Sequence, residues 1–213
     1  MIDYRVYLVT DDPSRYKGNW LDSVRAAVEG GVTCVQYRDT ESSNEEKLRR
    51  LKALRDAIGS TPIIVNNDVE LAAAIRAEGV HVGQQDLPPQ AVRAIVGPTC
   101  EIGLSITAWD QTRAAHAAYR VGWIQAVGIG PVFDARKTKR DASAAMGLKG
   151  LRCLTSELNE IPNCAIGGIN LDNAPSVLTA GAQGLAVVSA FSQSENPYEV
   201  AKNFALLFNH SRQ

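Results

Sequence analysis

The chain alternates between short apolar runs rich in β-branched residues and longer segments in which apolar residues recur with helical spacing. Leu48, Leu51 and Leu54 lie on one face of a helix predicted over residues 45–58, and a second helix is predicted over residues 173–180. Eight apolar runs predict β-strands, at residues 6–10, 34–38, 62–66, 79–82, 101–105, 124–128, 164–166 and 185–188.

This alternation predicts an α/β fold, a single (β/α)8 TIM barrel over residues 1–213. Eight strand-and-helix units over 213 residues leave roughly 27 residues per unit, which suits a minimal barrel. An open doubly wound sheet is disfavoured because such sheets more often carry about five or six strands. No G-x-G-x-x-G follows the first strand, which also disfavours a dinucleotide-binding fold. Polar residues just past the carboxyl ends of the strands are therefore expected to build the active site.

Composition and charge narrow the class of partners. The chain has 22 Lys+Arg against 23 Asp+Glu and a net charge of −1, which argues against nucleic acid as a partner. No apolar stretch approaches the ~20 residues needed to span a bilayer, and the N-terminus lacks a secretory pattern, so a cytoplasmic protein without a membrane partner is expected. A homo-oligomer is compatible with the sequence. Four scattered cysteines are interpreted as buried free thiols: Cys34, Cys100, Cys153 and Cys164.

The run over residues 79–86 contains the first candidate metal ligand. Its apolar strand is followed by glycine, two glutamines and Asp86. The strand before it along the chain is followed by Asn67 and Asp68 and ends at Asn66, and neighbouring strands lie about 4.8 Å apart. The two clusters are therefore predicted to share a hard cation, for which Mg²⁺ is the best match. Asp68 has a second interpretation, as the N-cap of the following helix.

Two further strand ends carry groups suited to phosphate. Gln36 and Arg38 alternate onto the same side of the second strand, where a guanidinium can bind a phosphate bidentately. The alternative for Arg38 is an ion pair inside the barrel. Gly167 and Gly168 follow the seventh strand and Ser189 follows the eighth, so backbone amides there can form the phosphate cradle that recurs in such barrels. Taken alone, the glycine pair is equally typical of a tight turn.

The loop after the sixth strand, over residues 130–141, is long and cationic. Four of the five positions 136–140 are basic, which predicts a lid over an anionic substrate, with a solvated basic loop as the alternative. No histidine stands in a nucleophile-and-acid pattern, which argues against a triad hydrolase, and His81 is interpreted as a packed strand residue. No lysine lies at a strand end, which disfavours a Schiff-base mechanism.

At seven places, in the family's order and spacing, the chain resembles the thiamine-phosphate synthase family, over a stretch from Tyr7 to about Phe204. The motifs that carry the resemblance are YLVTD (7–11), GVTCVQYR (31–38), VNNDVELA (65–72), residues 79–88, GIGPVF (128–133), AIGGI (165–169) and VVSA (187–190). Each motif alone is weak, but seven in order are specific.

The resemblance implies a transferase that joins hydroxymethylpyrimidine diphosphate to hydroxyethylthiazole phosphate, with Mg²⁺ as cofactor and without a protein nucleophile. By matching position, it implies that Arg38, Lys139 and Ser105 are catalytic and that Asn67 and Asp86 are metal ligands. It places Gln36, Arg38, Asn66 and Lys139 on the pyrimidine diphosphate, Ser105 near the pyrimidine, and Thr138, Gly168, Val188 and Ser189 on the thiazole phosphate.

Three positions depart from the family pattern. Thr40 stands where a lysine is usual, Asn67 where an aspartate is usual, and Ala135 where a threonine is usual in a sixth loop that is one residue longer. A basic residue of the sixth loop could replace the lost lysine, and Asp68 could approach the metal in place of Asn67.

Three functions are consistent with this pattern. The favoured one is an active synthase, because the phosphate cradle and most of the charged groups are retained. The second is a related thiazole tautomerase. The absence of a histidine at residues 105–107 argues against it. The third is a non-catalytic relative that binds a phosphate ester as a sensor or partner subunit, because that function predicts the loss of the lysine and the aspartate.

Overall fold

Eight parallel strands pair in the order of the chain, and the eighth pairs with the first to close a barrel. The computed structural model describes residues 1–135 and 143–209. The strands are β1 (Val6–Val9), β2 (Cys34–Tyr37), β3 (Ile63–Asn66), β4 (Gly79–Val82), β5 (Glu101–Ile106), β6 (Ala126–Ile129), β7 (Asn163–Ile166) and β8 (Leu185–Val187). The predicted (β/α)8 fold is confirmed, and each strand begins and ends within two residues of its predicted bounds.

Helices surround the barrel in the part of the chain that the structure describes. They are α1 (Trp20–Glu29), α2 (Asn44–Ile58), α3 (Val69–Ala74), α4 (Pro89–Val96), α5 (Thr112–Arg120), α6 (Gly147–Glu157), α7 (Ala174–Thr179), α8 (Ser189–Ser192) and α9 (Pro197–Asn209). Several begin at a side chain that accepts backbone N–H groups, as Asn19 does for α1 and Ser43 for α2. None of the helices in these ranges is long and apolar enough to cross a membrane.

The apolar residues form two cores because alternate strand residues point to opposite faces of the sheet. In β1, Val6 and Leu8 pack outward against the helices, whereas Tyr7 and Val9 pack inside the barrel. The inner core is the smaller one; its buried members are Ile2, Tyr7, Val9, Cys34, Ile64, Cys164 and Ala186. Apart from Val9, its members lie before their strands or in the first two positions of them, and polar residues such as Gln36, Asn66 and Ser105 lie nearer the carboxyl ends.

The cysteines match the predicted buried thiols with one exception. Cys34, Cys100 and Cys164 are buried and unpaired, but Cys153 is exposed, because its neighbours Leu151 and Leu154 fill the buried positions of α6. The prediction was wrong for Cys153. Burial raises the pKa of Cys164 to about 12, so this thiol inside the barrel stays neutral and is a poor nucleophile.

Candidate active site

The predicted site residues that the structure describes lie at one end of the barrel. They occupy the last positions of a strand or the residues just after it on β2, β3, β4, β5, β7 and β8: Gln36, Arg38, Asn66, Asn67, Asp86, Ser105, Gly168, Val188 and Ser189. Because the strands are parallel, their carboxyl ends meet at a single rim, which is the end where barrel enzymes carry their active sites. Thr138 and Lys139 lie outside the described residues.

Gln36 lies inside the barrel and is fixed by a tyrosine of the neighbouring strand. Its side chain is buried, and its Nε2 donates a hydrogen bond to the hydroxyl oxygen of Tyr7 at 2.6 Å. Burial raises the pKa of Tyr7 well above its ordinary value, so the hydroxyl stays protonated. Tyr7 therefore fixes the orientation of the Gln36 amide near the carboxyl end of β2.

The loop that carries Arg38 is held by the next residue, Asp39. The carboxylate of Asp39 accepts hydrogen bonds from the Tyr37 hydroxyl at 2.8 Å and the Ser42 N–H at 3.0 Å, and it pairs with Arg50 at 2.9 Å. Burial alone would raise the pKa of Asp39, but the hydrogen bonds from Ser42 and Tyr37 outweigh it and lower the pKa to about 2. Asp39 is thus a structural anion that orders the loop after β2.

The two residues after β3 have different roles. Asn67 is exposed, has a left-handed backbone with a φ of 60°, and donates its N–H to the carbonyl oxygen of His81 at 2.8 Å. Asn and Asp tolerate this conformation better than most non-glycine residues. The carboxylate of Asp68 accepts the Leu71 N–H at 3.1 Å and pairs with Lys47 at 3.3 Å. The N-cap interpretation of Asp68 is therefore confirmed, and each of its two oxygens has a partner.

Asp86 has one carboxylate oxygen that is available to a ligand. Its Oδ2 accepts the N–H of Gly83 at 2.6 Å, whereas its Oδ1 accepts no hydrogen bond from any residue that the structure describes. Within residues 1–135 and 143–209, no three His, Cys, Asp or Glu side chains form a cage for a metal. Mg²⁺ usually takes one or two carboxylates and completes its shell with waters and substrate phosphates. Asp86 and Asn67, which follow the paired strands β4 and β3, carry the oxygen ligands that an ion of that kind takes.

The hydroxyl and the carbonyl oxygen of Ser105 each contact a residue of β4 or of the turn after it. Its Oγ lies 3.0 Å from Nε2 of His81, and its carbonyl oxygen accepts a hydrogen bond from Nε2 of Gln84 at 2.7 Å. A Cβ atom at Gly103 or Gly128 would contact the His81 ring, so the imidazole lies in space that these two glycines leave open. His81 is therefore more than the packed strand residue that was expected.

The loops after β7 and β8 are adjacent and contain a required glycine. Gly168 has a φ of 64°, and a Cβ atom there would lie 2.7 Å from Cβ of Phe133 in the loop after β6. Its carbonyl oxygen accepts a hydrogen bond from Nδ2 of Asn173 at 2.9 Å. Val188 precedes α8 as its N-cap residue, and Ser189 is the first residue of that helix. Both conformation and space at Gly168 therefore exclude a side chain.

The closed strand order places these groups on opposite sides of the rim. The strand neighbours β2, β3, β4 and β5 carry the amide, hydroxyl and carboxylate groups, and β7 and β8 carry the glycine and serine loops. In an eight-stranded barrel β3 lies across from β7. Ala135 is the last described residue of the sixth loop before the gap, so the basic positions 136–140 lie outside the described residues.

Sequence reasoning did not predict the supporting roles of three residues that contact the predicted site residues. These are Tyr7, His81 and Gln84, which contact Gln36 or Ser105. The glycines at 103 and 128 were a signal that could have drawn attention to His81, because glycine inside a strand often marks a close approach by another group.

The barrel, with its polar groups at the carboxyl ends of the strands, is that of a (β/α)8-barrel enzyme. The family model for thiamine monophosphate synthase matches residues 6–191. The chain belongs to this family, as its motifs predicted.

Known relatives match the chain over nearly its whole length. A thiamine-phosphate synthase from Azorhizobium caulinodans is 39% identical over 213 residues, covering 99% of this chain and 98% of the relative. One from Chloroflexus aurantiacus is 37% identical over 215 residues, covering 100% and 96%. These relatives are transferases, and the prediction of a transferase is confirmed.

Solved structures agree with this assignment. A thiamine phosphate pyrophosphorylase from Pyrococcus furiosus superposes with a TM-score of 0.83 at 30% identity and covers 99% of this chain and 98% of its own. A 3-hexulose-6-phosphate synthase, with a TM-score of 0.67 at 16% identity, shares the fold alone.

Proposed function

We propose that this enzyme joins hydroxymethylpyrimidine diphosphate to hydroxyethylthiazole phosphate and releases thiamine phosphate and diphosphate. Support comes from membership of the thiamine monophosphate synthase family and from full-length relatives that carry the synthase name. Both substrates are phosphorylated small molecules. The reaction itself calls for neither nucleic acid nor a membrane.

The observation that carries the proposal is the presence of two separate polar regions that face each other across the rim. The ends of β2 to β5 present Gln36, Asn66, Asp86 and Ser105, and the ends of β7 and β8 present the loop at Gly168 and the start of α8. A joining reaction between two phosphorylated molecules requires two anion-binding regions whose occupants meet in the middle. Each region belongs to a different set of strands, so each substrate can be held independently of the other.

In this reaction the protein has to stabilise the charge of the leaving diphosphate and orient the two substrates. The bond between the pyrimidine methylene carbon and the diphosphate oxygen breaks, the electron pair leaves with the diphosphate, and the thiazole nitrogen forms the new carbon–nitrogen bond. In this proposal Arg38 binds the diphosphate, Gln36 and Ser105 orient the pyrimidine, and Gly168 and Ser189 bind the thiazole phosphate. The family resemblance assigns Lys139 of the sixth loop to the diphosphate and Thr138 to the thiazole phosphate.

Asp86 and Asn67 are the residues that would hold Mg²⁺. Asp86, whose Oδ1 accepts no hydrogen bond from the described part of the chain, and the exposed Asn67 follow adjacent strands, and both offer the oxygen ligands that this ion prefers. When bound, the ion supplies positive charge that stabilises the leaving diphosphate. Because Asn67 is neutral where the family usually has a carboxylate, we expect weaker metal binding in the absence of substrate.

A second candidate function is binding of phosphate esters without turnover. It is favoured by two departures from the family pattern: Thr40 is exposed and uncharged, and Asn67 carries no charge. A binding protein of this kind would take up both phosphorylated molecules and release no diphosphate.

The deciding experiment mixes the purified protein with both substrates and Mg²⁺ and measures thiamine phosphate and diphosphate by mass spectrometry. We expect equal amounts of the two products and their loss when the metal is chelated. In Asp86→Asn we expect activity about 100-fold lower at limiting Mg²⁺, in line with the cost of losing a metal ligand. Asp56→Asn, an exposed change on α2, serves as the control and should keep full activity. Binding of both substrates without product would select the second candidate, and full activity of Asp86→Asn at limiting Mg²⁺ would refute the metal assignment.

A further inference from the structure

We infer that His81 is a positioning residue for the pyrimidine side of the site, and that it holds the Ser105 hydroxyl in the orientation that contacts the pyrimidine. The inference rests on the proposed function, because it is the family resemblance that gives Ser105 its place beside this ring. From the sequence alone, His81 was interpreted only as a packed strand residue.

The first support is the space around the imidazole. His81 is paired in register with Gly103 of β5, and Ser105 is paired with Gly128 of β6. A Cβ atom at Gly103 would overlap with Nδ1 of the ring, and one at Gly128 would lie 2.9 Å from its Cε1. Glycine weakens the interior of a strand, and it is often found where another group approaches closely. Two glycines on successive strands therefore make room for this one ring.

The second support is that Ser105 is held at two points from the same segment. The ring of His81 binds its Oγ at 3.0 Å, and the amide of Gln84 donates to its carbonyl oxygen at 2.7 Å. A serine hydroxyl otherwise rotates among three staggered positions, and a fixed partner selects one of them. The turn that contains Gln84 also contains Asp86, whose carboxylate accepts the Gly83 N–H. One segment thus positions both the serine and the candidate metal ligand.

The chemistry of the proposed reaction assigns the pair to orientation and not to proton transfer. The thiazole nitrogen uses its own electron pair to form the new bond, and the bond that breaks leaves its electrons on the diphosphate. No proton has to be removed from a protein hydroxyl at either step. A histidine hydrogen-bonded to a serine therefore acts here by fixing a hydroxyl, and the serine is not a nucleophile.

The test compares His81→Ala and His81→Gln with a matched histidine variant, using steady-state kinetics with each substrate varied in turn. In His81→Ala we expect kcat/KM for the pyrimidine diphosphate to fall about three- to tenfold, which corresponds to one lost hydrogen bond. The KM for the thiazole phosphate should stay unchanged, because its loops belong to β7 and β8. Glutamine can place an amide near the position of Nε2, so His81→Gln should recover to within about twofold of the wild type.

The control is His116→Ala. His116 lies on α5 in the outer layer, and its Nε2 hydrogen bonds to the carbonyl oxygen of Glu157 at 3.0 Å. The His116→Ala variant therefore loses the same type of side chain as His81→Ala and one hydrogen bond, but at a position away from the rim. Its kinetic constants should equal those of the wild type even where its melting temperature falls.

A double-mutant cycle separates positioning from a general loss of packing. Ser105→Ala, which also removes the hydroxyl that contacts the pyrimidine, should be at least as slow as His81→Ala, and the double variant His81→Ala/Ser105→Ala should be no slower than Ser105→Ala. Losses that multiply in the double variant, or an equal rise in KM for both substrates, would overturn the inference. If His81→Ala does not fold, a His81→Gln variant as impaired as Ser105→Ala would overturn it as well. A wild-type protein that forms no thiamine phosphate contradicts the proposed function, whereas an active wild type with multiplying losses contradicts only the role of His81.

Discussion

Asp39→Asn should destabilise the protein in a manner that depends on pH. The Asp39 side chain is 7% exposed and accepts hydrogen bonds from Tyr37 and Ser42 in addition to its ion pair with Arg50. Asparagine has nearly the shape of the protonated carboxyl group. The substitution therefore removes the charge and leaves the volume in place, so its effect reports on the electrostatic contribution of this group.

The magnitude follows from the pKa of Asp39, which is lowered from 3.8 to about 2. At about 1.4 kcal/mol per pKa unit, the ionised group contributes on the order of 2 kcal/mol to the free energy of unfolding at pH 7. Because the folded pKa lies below the unfolded one, this stabilisation is complete above about pH 4 and is lost as the pH falls through 2. Near pH 3 about half of it, roughly 1 kcal/mol, should remain.

Urea unfolding of the wild type and Asp39→Asn at pH 7, 5 and 3 measures this difference. We expect the variant to be less stable by on the order of 2 kcal/mol at pH 7 and pH 5, with a smaller gap at pH 3. Asp22→Asn is the control: Asp22 pairs with Arg25 at 2.9 Å, but both side chains are more than half exposed, so we expect about 0.5 kcal/mol. A gap of the same size at all three pH values, or no gap at pH 7, would show that the Asp39 carboxylate does not carry this stabilisation.

Two further substitutions test the candidate site. Asn67→Asp should lower the Mg²⁺ concentration that gives half-maximal activity by about tenfold, because a carboxylate replaces a neutral amide at an exposed position. The control, Asn159→Asp at the opposite end of the barrel, should have no effect. An unchanged Mg²⁺ dependence in Asn67→Asp would show that Asn67 is not a metal ligand. Gly168→Ala should raise the KM for the thiazole phosphate about tenfold or more, because the new Cβ displaces Phe133. Gly59→Ala has a similar φ of 58° with no atom within 4 Å, so equal kinetic losses in both variants would refute that reasoning.

The strand ends were predictable because the signals are local. Gln36, Asn66, Asp86 and Ser105 stand where a short apolar run gives way to polar residues, and parallel strands bring all such positions to one rim. The role of Asp68 was not predictable in the same way. A carboxylate at that position suits a metal as well as a helix N-cap, and only the positions of the Leu71 N–H and Lys47 decide between them.

Periodicity and motifs by themselves determined the barrel, its strand order and the family, because the alternation of apolar residues depends only on neighbours along the chain. The tertiary structure alone decided which polar groups meet. Tyr7 contacts Gln36 across 29 residues and His81 contacts Ser105 across 24, and these pairs depend on strand register. They depend also on the space left by Gly103 and Gly128. Contacts of this kind are set by how neighbouring strands align and by which side chains are missing between them, and neither property is local in the sequence.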